Sequence, residues 1–364
     1  MEYEYWLAAI PYLSDCKKRL LREEYKEGRA VYYIEEMQLR ALPFLADKEV
    51  EALLQAKKEK KAWKEWESLK KQKIRFVPYF SAEYPKKLLQ IPDPPYALYV
   101  KGSLPEEGVL SAAIVGARKC TPYGEEMALD YGKYLAEHGI QVISGMARGI
   151  DGAGQRGALN GGGVTYGVLG CGVDICYPRE HIGLYMDIQQ RGGVISEQLP
   201  GKPPLPMYFP MRNRIISGLS DIVLVMEAKE RSGSLITADQ ALEQGKDVYA
   251  LPGPVTSRLS QGCHSLIRQG AGILISPEDL LAELGIAGKD LKQKKDKIEK
   301  TLENDENVVY SCLGFFPKSV SQLIEETGYG VPELMQELIS LELMGCIREV
   351  SKNYYIRVRK GKDF

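Results

Sequence analysis

Short apolar runs recur through the middle of the chain at intervals that suit a parallel sheet. They cover residues 112–115, 141–143, 164–168, 193–195, 221–226, 248–251 and 272–275. The runs are apolar throughout rather than alternating, which is typical of strands covered on both faces. Helix signals stand between them, such as Thr121 as N-cap with Pro122 in the first turn. Residues 75–286 are therefore predicted to form an extended Rossmann-like α/β domain with a doubly wound, mostly parallel sheet.

Helical spacing dominates the segment before this domain. Trp6, Ile10 and Leu13 recur at intervals of three or four residues, as the core face of a helix requires. The run 47–73 is rich in lysine and glutamate and is predicted to be one solvated amphipathic helix. We expect an N-terminal helical domain over residues 1–74, of a SAM-like or helix-hairpin-helix-like kind. A DNA contact in this domain remains an open alternative.

The C-terminal part has a different pattern of charged and apolar residues. Residues 287–303 are rich in lysine and poor in large apolar side chains, which predicts a charged linker. Within 304–364, three helical segments precede two short strands at 346–350 and 354–358, the order of a winged-helix domain. The third helix carries Glu333, Glu337 and Glu342, which would repel phosphate, so a protein contact is favoured there over DNA reading.

Composition excludes several classes of protein. The 364 residues contain 48 Lys+Arg and 49 Asp+Glu, so a generally basic nucleic-acid coat is excluded and any anion site must come from local clustering. Seven cysteines without a CxxC pair, and three histidines far apart, disfavour a disulfide framework and a metal site. The sequence has no export signal and no apolar run long enough to span a membrane, so a cytoplasmic location is expected.

Two glycine-rich turns follow predicted strands, where a doubly wound sheet places its ligands. Glycine lets backbone amides approach a ligand, and each turn adds arginine beside a helix N-terminus that favours anions. Asp151 is expected to fix the second turn by accepting backbone amides. The candidate phosphate contacts are Gly116, Arg118, Lys119, Ser144, Gly145, Arg148 and Gly149.

A second group of candidates lies further along the chain. Phe209, Arg212, Asn213 and Arg214 surround the start of a predicted helix and offer stacking, guanidinium and amide contacts together. Another helix opens after a strand at Gly233 and Ser234. Arg212 and Arg214 could instead have a structural role, in buried ion pairs with carboxylates such as Glu197 or Glu227.

Signatures of catalysis and of nucleotide binding are missing. The chain has no GxGxxG turn after its first parallel strand and no GxxxxGK[ST] sequence. Cys263 and His264 are adjacent in sequence rather than arranged as nucleophile and base, so a packed or surface histidine is the default for His264. We identify no catalytic residues.

Several longer motifs occur in one order over about two hundred residues. They are Ile114-Val-Gly-Ala-Arg, Ser144-Gly-Met-Ala-Arg-Gly-Ile-Asp, Gly172-Val-Asp with Tyr177-Pro, Ser196-Glu, Phe209-Pro-x-Arg-Asn-Arg-Ile-Ile-Ser-Gly-Leu-Ser, Ser232-Gly-Ser-Leu-Ile-Thr-Ala, Leu251-Pro-Gly and Gly270-Ala. In these motifs and in their order, the chain resembles the DNA-processing protein A (DprA/Smf) family. It departs from the family's pattern at Gly154-Gln155, where Ala-His is frequent, and at Cys263-His264, where Thr-Asn is frequent.

The resemblance implies a homodimer that binds single-stranded DNA, protects it as it enters the cell in natural transformation, and loads the RecA recombinase onto it. It implies no cofactor and no catalytic turnover. The family's phosphate pocket falls on the first two turns, at Gly116, Arg118, Ser144, Gly145 and Arg148. Phe209, Arg212 and Arg214 also carry over, and Lys202 resembles a DNA-contacting lysine of the family.

Two other classes of function compete with this interpretation. One is a nucleotide-processing enzyme of the lysine-decarboxylase-like, phosphoribohydrolase type, which uses a Pro-Gly-Gly-x-Gly-Thr-x-x-Glu turn. The comparable segment here starts at Arg231, lacks those glycines and places Glu243 too far along. The other is an interaction scaffold, which would not retain single-stranded DNA.

Overall fold

The computed structural model describes residues 1–286, 304–314 and 317–357, and the predicted linker 287–303 lies outside them. The chain divides into two compact units, Met1–Cys120 with Gly124–Pro277, and Thr121–Tyr123 with Glu278–Phe364. The first unit begins with a helical segment. Its helices are α1 (Glu2–Ala9), α2 (Asp15–Tyr25), α3 (Gly28–Tyr33), α4 (Glu36–Arg40), α5 (Asp47–Lys58) and α6 (Lys61–Lys71).

A single twisted sheet follows. Within the described residues it has nine strands: β1 (Arg75–Pro78), β2 (Ala97–Gly102), β3 (Ser111–Val115), β4 (Gln141–Ser144), β5 (Thr165–Val168), β6 (Gly192–Ser196), β7 (Ile222–Val225), β8 (Asp247–Ala250) and β9 (Gly272–Ile273). Their order is β1-β2-β6-β5-β4-β3-β7-β8-β9. All seven predicted strands are present and parallel to one another. The sheet also gains β1 and β2, which pair antiparallel at one edge and were not predicted as strands.

Helices cover both faces of the sheet. They are α7 (Lys86–Leu89), α8 (Pro122–Glu137), α9 (Ile150–Asn160), α10 (Ile182–Gln190), α11 (Tyr208–Leu219), α12 (Gly233–Glu243) and α13 (Gln261–Arg268). The next helix, α14 (Pro277–Glu283), lies almost wholly in the second unit. Neighbouring residues of one strand join different apolar clusters, because successive side chains point to opposite faces. In β6, Ile195 packs in the cluster that includes Ile215 of α11, whereas Val194 packs with Ile188 of α10. The predicted doubly wound, Rossmann-like fold is confirmed.

The helical segment is joined to the sheet by shared apolar contacts. Tyr5 of α1 and Leu69 of α6 are buried in the same cluster as Tyr99 of β2 and Met146, which follows β4. A second cluster, built around Trp6 and Leu53, takes in Tyr96 just before β2. The division at residue 74 remains a prediction, and the apolar contacts run across it.

The run 47–73 forms two helices, so the prediction of one continuous helix was wrong. Glu59 ends α5 in an extended conformation with ψ of 138°, and α6 starts two residues later. The break lets Trp63 of α6 pack edge-on against Tyr3 of α1, with ring centroids 5.0 Å apart. Aromatic packing of this kind adds about 0.5–1.5 kcal/mol beyond burial, which favours the broken helix.

The C-terminal unit contains the predicted winged helix. Its helices are α15 (Asn304–Cys312), α16 (Val320–Thr327) and α17 (Val331–Leu343), and its strands are β10 (Lys318–Ser319), β11 (Ile347–Ser351) and β12 (Tyr354–Arg357). Leu323, Leu334 and Leu338 form the centre of its core. The sequence prediction missed β10, which pairs with β12 beside the wing. None of the helices described is long and apolar enough to span a membrane.

Candidate functional site

The candidate site lies at the carboxyl edge of the parallel strands. β3 is flanked by β4 on one side and β7 on the other, so the helices that follow these strands diverge at this point. A crevice at such a switch point is where open α/β sheets bind ligands. The turns after β3 and β4 meet there, because the Ile150 amide donates to the Ala117 carbonyl at 3.3 Å. Gly149 has a φ of +69°, and a Cβ at this position would lie 2.4 Å from the same carbonyl oxygen.

Backbone amides of both turns converge on a carboxylate of the protein itself. Asp151, in the first turn of α9, is buried and accepts hydrogen bonds from the amides of Gly116, Gly145 and Ala147. Burial raises the pKa of Asp151, and the positive charge of Arg212 together with these amides opposes that rise. The expected loop-fixing geometry of Asp151 is therefore present. The same geometry engages the amides that the sequence assigned to a phosphate.

Two further residues assigned to phosphate have internal partners. Ser144 is fully buried, and its hydroxyl donates to the Ile114 carbonyl at 2.6 Å, which ties β4 to β3. Gly145 is also buried, and its carbonyl accepts a hydrogen bond from Arg212. The structure therefore places Ser144 and Gly145 beneath the crevice rather than on its surface. Their contribution is to shape the turn.

The surface of the crevice carries arginines and aromatic rings side by side. Arg118 is exposed, and its guanidinium carbon lies 5.2 Å from the centroid of the Phe209 ring. Phe209 in turn lies 5.6 Å from Tyr177, with an angle of 34° between the rings. The Tyr177 ring is 39% exposed and lies close enough to Arg148 to influence the pKa of that guanidinium. We call the four residues Arg118, Phe209, Tyr177 and Arg148 the rim.

Arg148 is paired within the protein. Its guanidinium binds the Glu180 carboxylate through two donors, and the Nη2–Oε2 distance is 2.8 Å. Both side chains are more than half exposed. This ion pair lowers the pKa of Glu180. Exposed ion pairs contribute little free energy, so a phosphate can compete with Glu180 for the guanidinium.

Arg212 lies inside the protein. It is 4% exposed and donates from Nη1 to the Gly145 carbonyl at 2.7 Å, to the Val168 carbonyl, and from Nε to Asn213 Oδ1 at 3.2 Å. Burial lowers the pKa of Arg212 to about 10, and the negative charge of Asp151 acts in the opposite direction. A Cβ on Gly145 would lie 2.3 Å from the guanidinium, so the turn after β4 rests directly on this side chain.

Arg214 follows the structural alternative that the sequence left open. Its guanidinium binds Glu197, just after β6, and lies 3.3 Å from the Asp93 carboxylate. The Glu197 side chain is 6% exposed. Burial raises the pKa of Glu197, and the neighbouring Arg214 lowers it. Glu227, the other carboxylate considered, lies against Gly124 of α8 instead.

The remaining candidates differ in their exposure. Lys119, Lys202 and Gly233 are exposed at loops or helix starts that follow parallel strands. Asn213 is buried and donates to the Gly233 carbonyl at 3.2 Å, which joins α11 to the start of α12. Ser234 is buried as well, and its hydroxyl lies 2.8 Å from that of Ser232. The Lys202 loop is held to the neighbouring loop, since its carbonyl accepts the Gly172 amide at 2.9 Å.

The sequence did not identify two contacts of the site, one made by Tyr177 of the rim and one made by Glu180 beside it. Tyr177 was noted only as part of a motif, although an aromatic before proline in a loop after β5 is a usable signal. Glu180 gave no signal, because its partner Arg148 is 32 residues away. Gly170 acquires a role too, since a Cβ there would lie 3.0 Å from the Phe209 ring.

Residues considered for catalysis are placed away from one another. Glu243 ends α12, whereas Gly233 starts it, and ten residues of helix separate them by about 15 Å. His264 lies 3.0 Å from the Gly253 carbonyl through Nε2, as a packed histidine would. Across the described ranges, no group of three or more His, Cys, Asp or Glu side chains could hold a metal ion.

Comparison with known proteins assigns the chain to a family. Residues 75–285 match the family model of DNA recombination-mediator protein A, and residues 293–351 match that of the DprA winged helix domain. The chain belongs to the DNA-processing protein A (DprA/Smf) family. The family match spans the whole sheet and the site at its carboxyl edge.

Relatives of known sequence and structure agree. The chain is 40% identical over 293 residues to Protein Smf of Escherichia coli K12, covering 78% of each chain. The X-ray structure of DNA processing protein A from Streptococcus pneumoniae has a TM-score of 0.69 and 33% identity, covering 78% of this chain and 98% of that one. A structure addressing the single-stranded DNA binding mode of DNA processing protein A from Helicobacter pylori has a TM-score of 0.52 and 28% identity, covering 58% and 95%.

Proposed function

We propose that this protein binds single-stranded DNA along the carboxyl edge of its sheet and acts as a recombination mediator. The rim carries the proposal, because it brings guanidinium groups for phosphates next to one exposed and one partly exposed ring for bases. Arg118 and Arg148 would contact phosphates, and Phe209 and Tyr177 would stack with bases. Such contacts bind single strands with little sequence preference.

The internal contacts distinguish residues that support the site from residues that would contact DNA. Asp151 and Arg212 hold the turn after β4 from below and would keep its backbone in place when a strand binds. Because the amides are engaged by Asp151, affinity would come from side-chain cations, with Lys119 and Lys202 as further contacts. A protein of near-zero net charge would bind DNA in this way through local positive potential.

Membership of the family supports the finer part of the proposal. The protein would load the RecA recombinase onto bound single strands during natural transformation, and protect incoming DNA, in the cytoplasm. A homodimer would join two sites and raise the avidity for one strand. We include no catalytic turnover and no cofactor in the proposal.

A gel shift tests the binding step. The protein should retain single-stranded DNA better than duplex, and affinity should fall as salt rises. Arg118→Ala should lose about 1–3 kcal/mol of binding free energy for every sequence tested. The control Arg268→Ala removes an exposed arginine from the end of α13, at the opposite edge of the sheet, and should bind as the parent does.

Two results would contradict the proposal. Equal binding by Arg118→Ala and the parent at moderate salt would remove the rim from the interface. Release of free base from nucleoside monophosphates would instead favour the phosphoribohydrolase-type enzyme. RecA loading is tested separately, by RecA-dependent strand exchange on DNA coated with single-strand-binding protein.

A further inference from the structure

A basic, aromatic cleft lies in the helical segment, away from the rim residues in sequence. It is a space of about 310 Å³ between the end of α5 and the start of α6. The lining residues are Tyr32, Lys57, Lys58, Glu59, Lys60, Trp63, Lys64 and Glu67. We propose that this cleft is a second binding site for single-stranded nucleic acid, with its lysines for phosphates, and with Trp63 in the cleft and Tyr33 beside it for bases.

Charge is concentrated in this part of the chain. Between residues 57 and 75 there are nine lysine or arginine side chains and three glutamates, whereas the whole protein has a net charge of -1. Lys58, Lys60 and Lys64 are exposed and have no carboxylate partner within the described ranges. Local surplus charge of this kind attracts a polyanion even when the protein is neutral overall.

Internal hydrogen bonds build the cleft. Carbonyl groups at the end of α5 would otherwise present partial negative charge to an incoming phosphate. The Ala56 carbonyl accepts from Trp6 Nε1 at 3.1 Å, and the Lys57 carbonyl accepts from the Tyr32 hydroxyl at 3.2 Å. The Lys57 ammonium donates to the Ile34 carbonyl and so ties α5 to the end of α3. The free lysines follow on the exposed side of this junction.

Aromatic rings supply the second element of single-strand recognition. Trp63 packs edge-on against Tyr32 with centroids 5.8 Å apart, and Tyr32 against Tyr33 at 5.2 Å. The Tyr33 ring is 63% exposed although it belongs to this cluster. Lysines beside one exposed ring and two partly exposed rings favour a nucleic acid strand over an acidic peptide, since every base offers a face for stacking.

The inference deepens the proposed function and rests on it for the identity of the ligand. A strand long enough to reach both sites would be held at two separate places. The cleft would then matter most for long strands, by raising the effective concentration of DNA at the rim. Glu59 and Glu67 also line the cleft and would limit its affinity for short anions.

Charge reversal tests the inference in the full-length protein. The triple variant Lys58→Glu, Lys60→Glu, Lys64→Glu should lose about tenfold in affinity for an oligothymidine of about 60 nucleotides, and the slope of log K against log salt should fall by about 2. The charge-matched control Lys48→Glu, Lys86→Glu, Lys352→Glu alters exposed lysines elsewhere and should keep both values. Tyr33→Ala should weaken binding while leaving the salt slope unchanged, since it removes no charge.

The outcomes separate the two proposals. If the triple variant binds like its charge-matched control while Arg118→Ala loses affinity, the cleft is not a binding site for single strands. The proposed function then stands. If the parent retains no single-stranded DNA, the proposed function itself fails. If the triple variant loses only its binding to phosphatidylglycerol vesicles, the cleft binds a lipid surface and the inference is overturned.

Discussion

Two pairs of arginines in this protein belong to motifs of the same family, and the structure uses them differently. Arg118 and Arg148 stand on turns after β3 and β4, where no backbone covers them. Arg212 and Arg214 stand on α11, where the turn after β4 and the Glu197 carboxylate enclose them. The first pair is exposed and belongs to the proposed DNA contact, and the second lies beneath that surface and supports it.

The difference lies in the surroundings rather than in the residue type. A guanidinium can be buried when oxygen acceptors satisfy its donors and a nearby carboxylate offsets its charge, as two backbone carbonyls, Asn213 Oδ1 and Asp151 do for Arg212. An exposed guanidinium can donate to a phosphate. Arg148 would have to break its surface ion pair with Glu180 to do so. Substitutions in the two pairs should therefore affect different measurements.

The largest effect is expected from Arg212→Ala. This change leaves Asp151 buried without its nearby cation and opens a hole under the turn, so the free energy of unfolding should fall by about 3–5 kcal/mol. Urea unfolding measures the loss, and Arg268→Ala should stay within about 0.5 kcal/mol of the parent. If Arg212→Ala keeps the stability of the parent but binds DNA weakly, Arg212 belongs to the interface and does not serve as its support.

Within the exposed pair, the two arginines should be unequal. Arg118→Ala removes a cation that contacts the Phe209 ring and has no carboxylate partner within the described residues, and should lose about 1–3 kcal/mol of binding free energy. Arg148→Ala should lose less, because Arg148 must first give up Glu180. Fluorescence anisotropy of a labelled oligonucleotide gives both values. A greater loss from Arg148→Ala would contradict this ranking.

A gain of binding is expected from Glu180→Gln. Removing the carboxylate charge frees the Arg148 guanidinium, so affinity for single-stranded DNA should rise about two- to fivefold. Glu137→Gln is the matched control, since Glu137 lies 4.0 Å from Lys133 at the end of α8 and far from the rim in the fold. An unchanged affinity in Glu180→Gln would mean that Arg148 makes no phosphate contact.

The smallest effect concerns an ion pair at the opposite edge of the sheet. Asp221 accepts from Lys87 Nζ at 2.7 Å and from the Ser111 amide at 2.8 Å. Burial would raise the pKa of Asp221, but these donors lower it below its ordinary value. The pair therefore stabilises the fold above pH 4, and that contribution is lost as pH falls through the lowered pKa.

Asp221→Asn should flatten the acid side of the stability profile by roughly 1 kcal/mol or less. Unfolding measured between neutral and strongly acid pH checks this, with DNA binding at neutral pH as the second readout. Since Asp221 is remote from the rim, affinity should not change. A loss of DNA affinity would show that the opposite edge is coupled to the site.

The sequence predicted those parts of the fold that depend on local pattern. Strands β3 to β9 are apolar on both faces, and this signal is strong in a short window. β1 was missed because it has just two apolar residues, Phe76 and Val77, between Arg75 and Pro78. β2 was missed because a proline-rich connector precedes it. Antiparallel pairing at the sheet edge depends on partners far away along the chain, which a local pattern does not reveal.

For the candidate site, the sequence located the turns but not the direction of their side chains. Gly116, Gly145 and Gly149 were recognised as turn residues, and a Cβ at each of them would lie within 2.7 Å of a neighbouring atom. The amides around them bind Asp151, an outcome that depends on how α9 starts against the turn after β3. Whether an arginine on α11 points inward depends on the space beneath β4, which a single sequence does not specify.

The apolar contacts between the first helices and the sheet bear on how the protein can be dissected. A fragment beginning at residue 75 would lose Tyr5, Leu69 and Ile74 from the cluster that they share with Tyr99 and Met146. This deletion would expose an apolar face of the sheet to solvent, and exposed apolar faces promote self-association. Low yield or aggregation of that fragment would therefore show that residues buried in the intact chain had become exposed to solvent. Point substitutions in the intact chain are the better way to separate the contributions of the two parts.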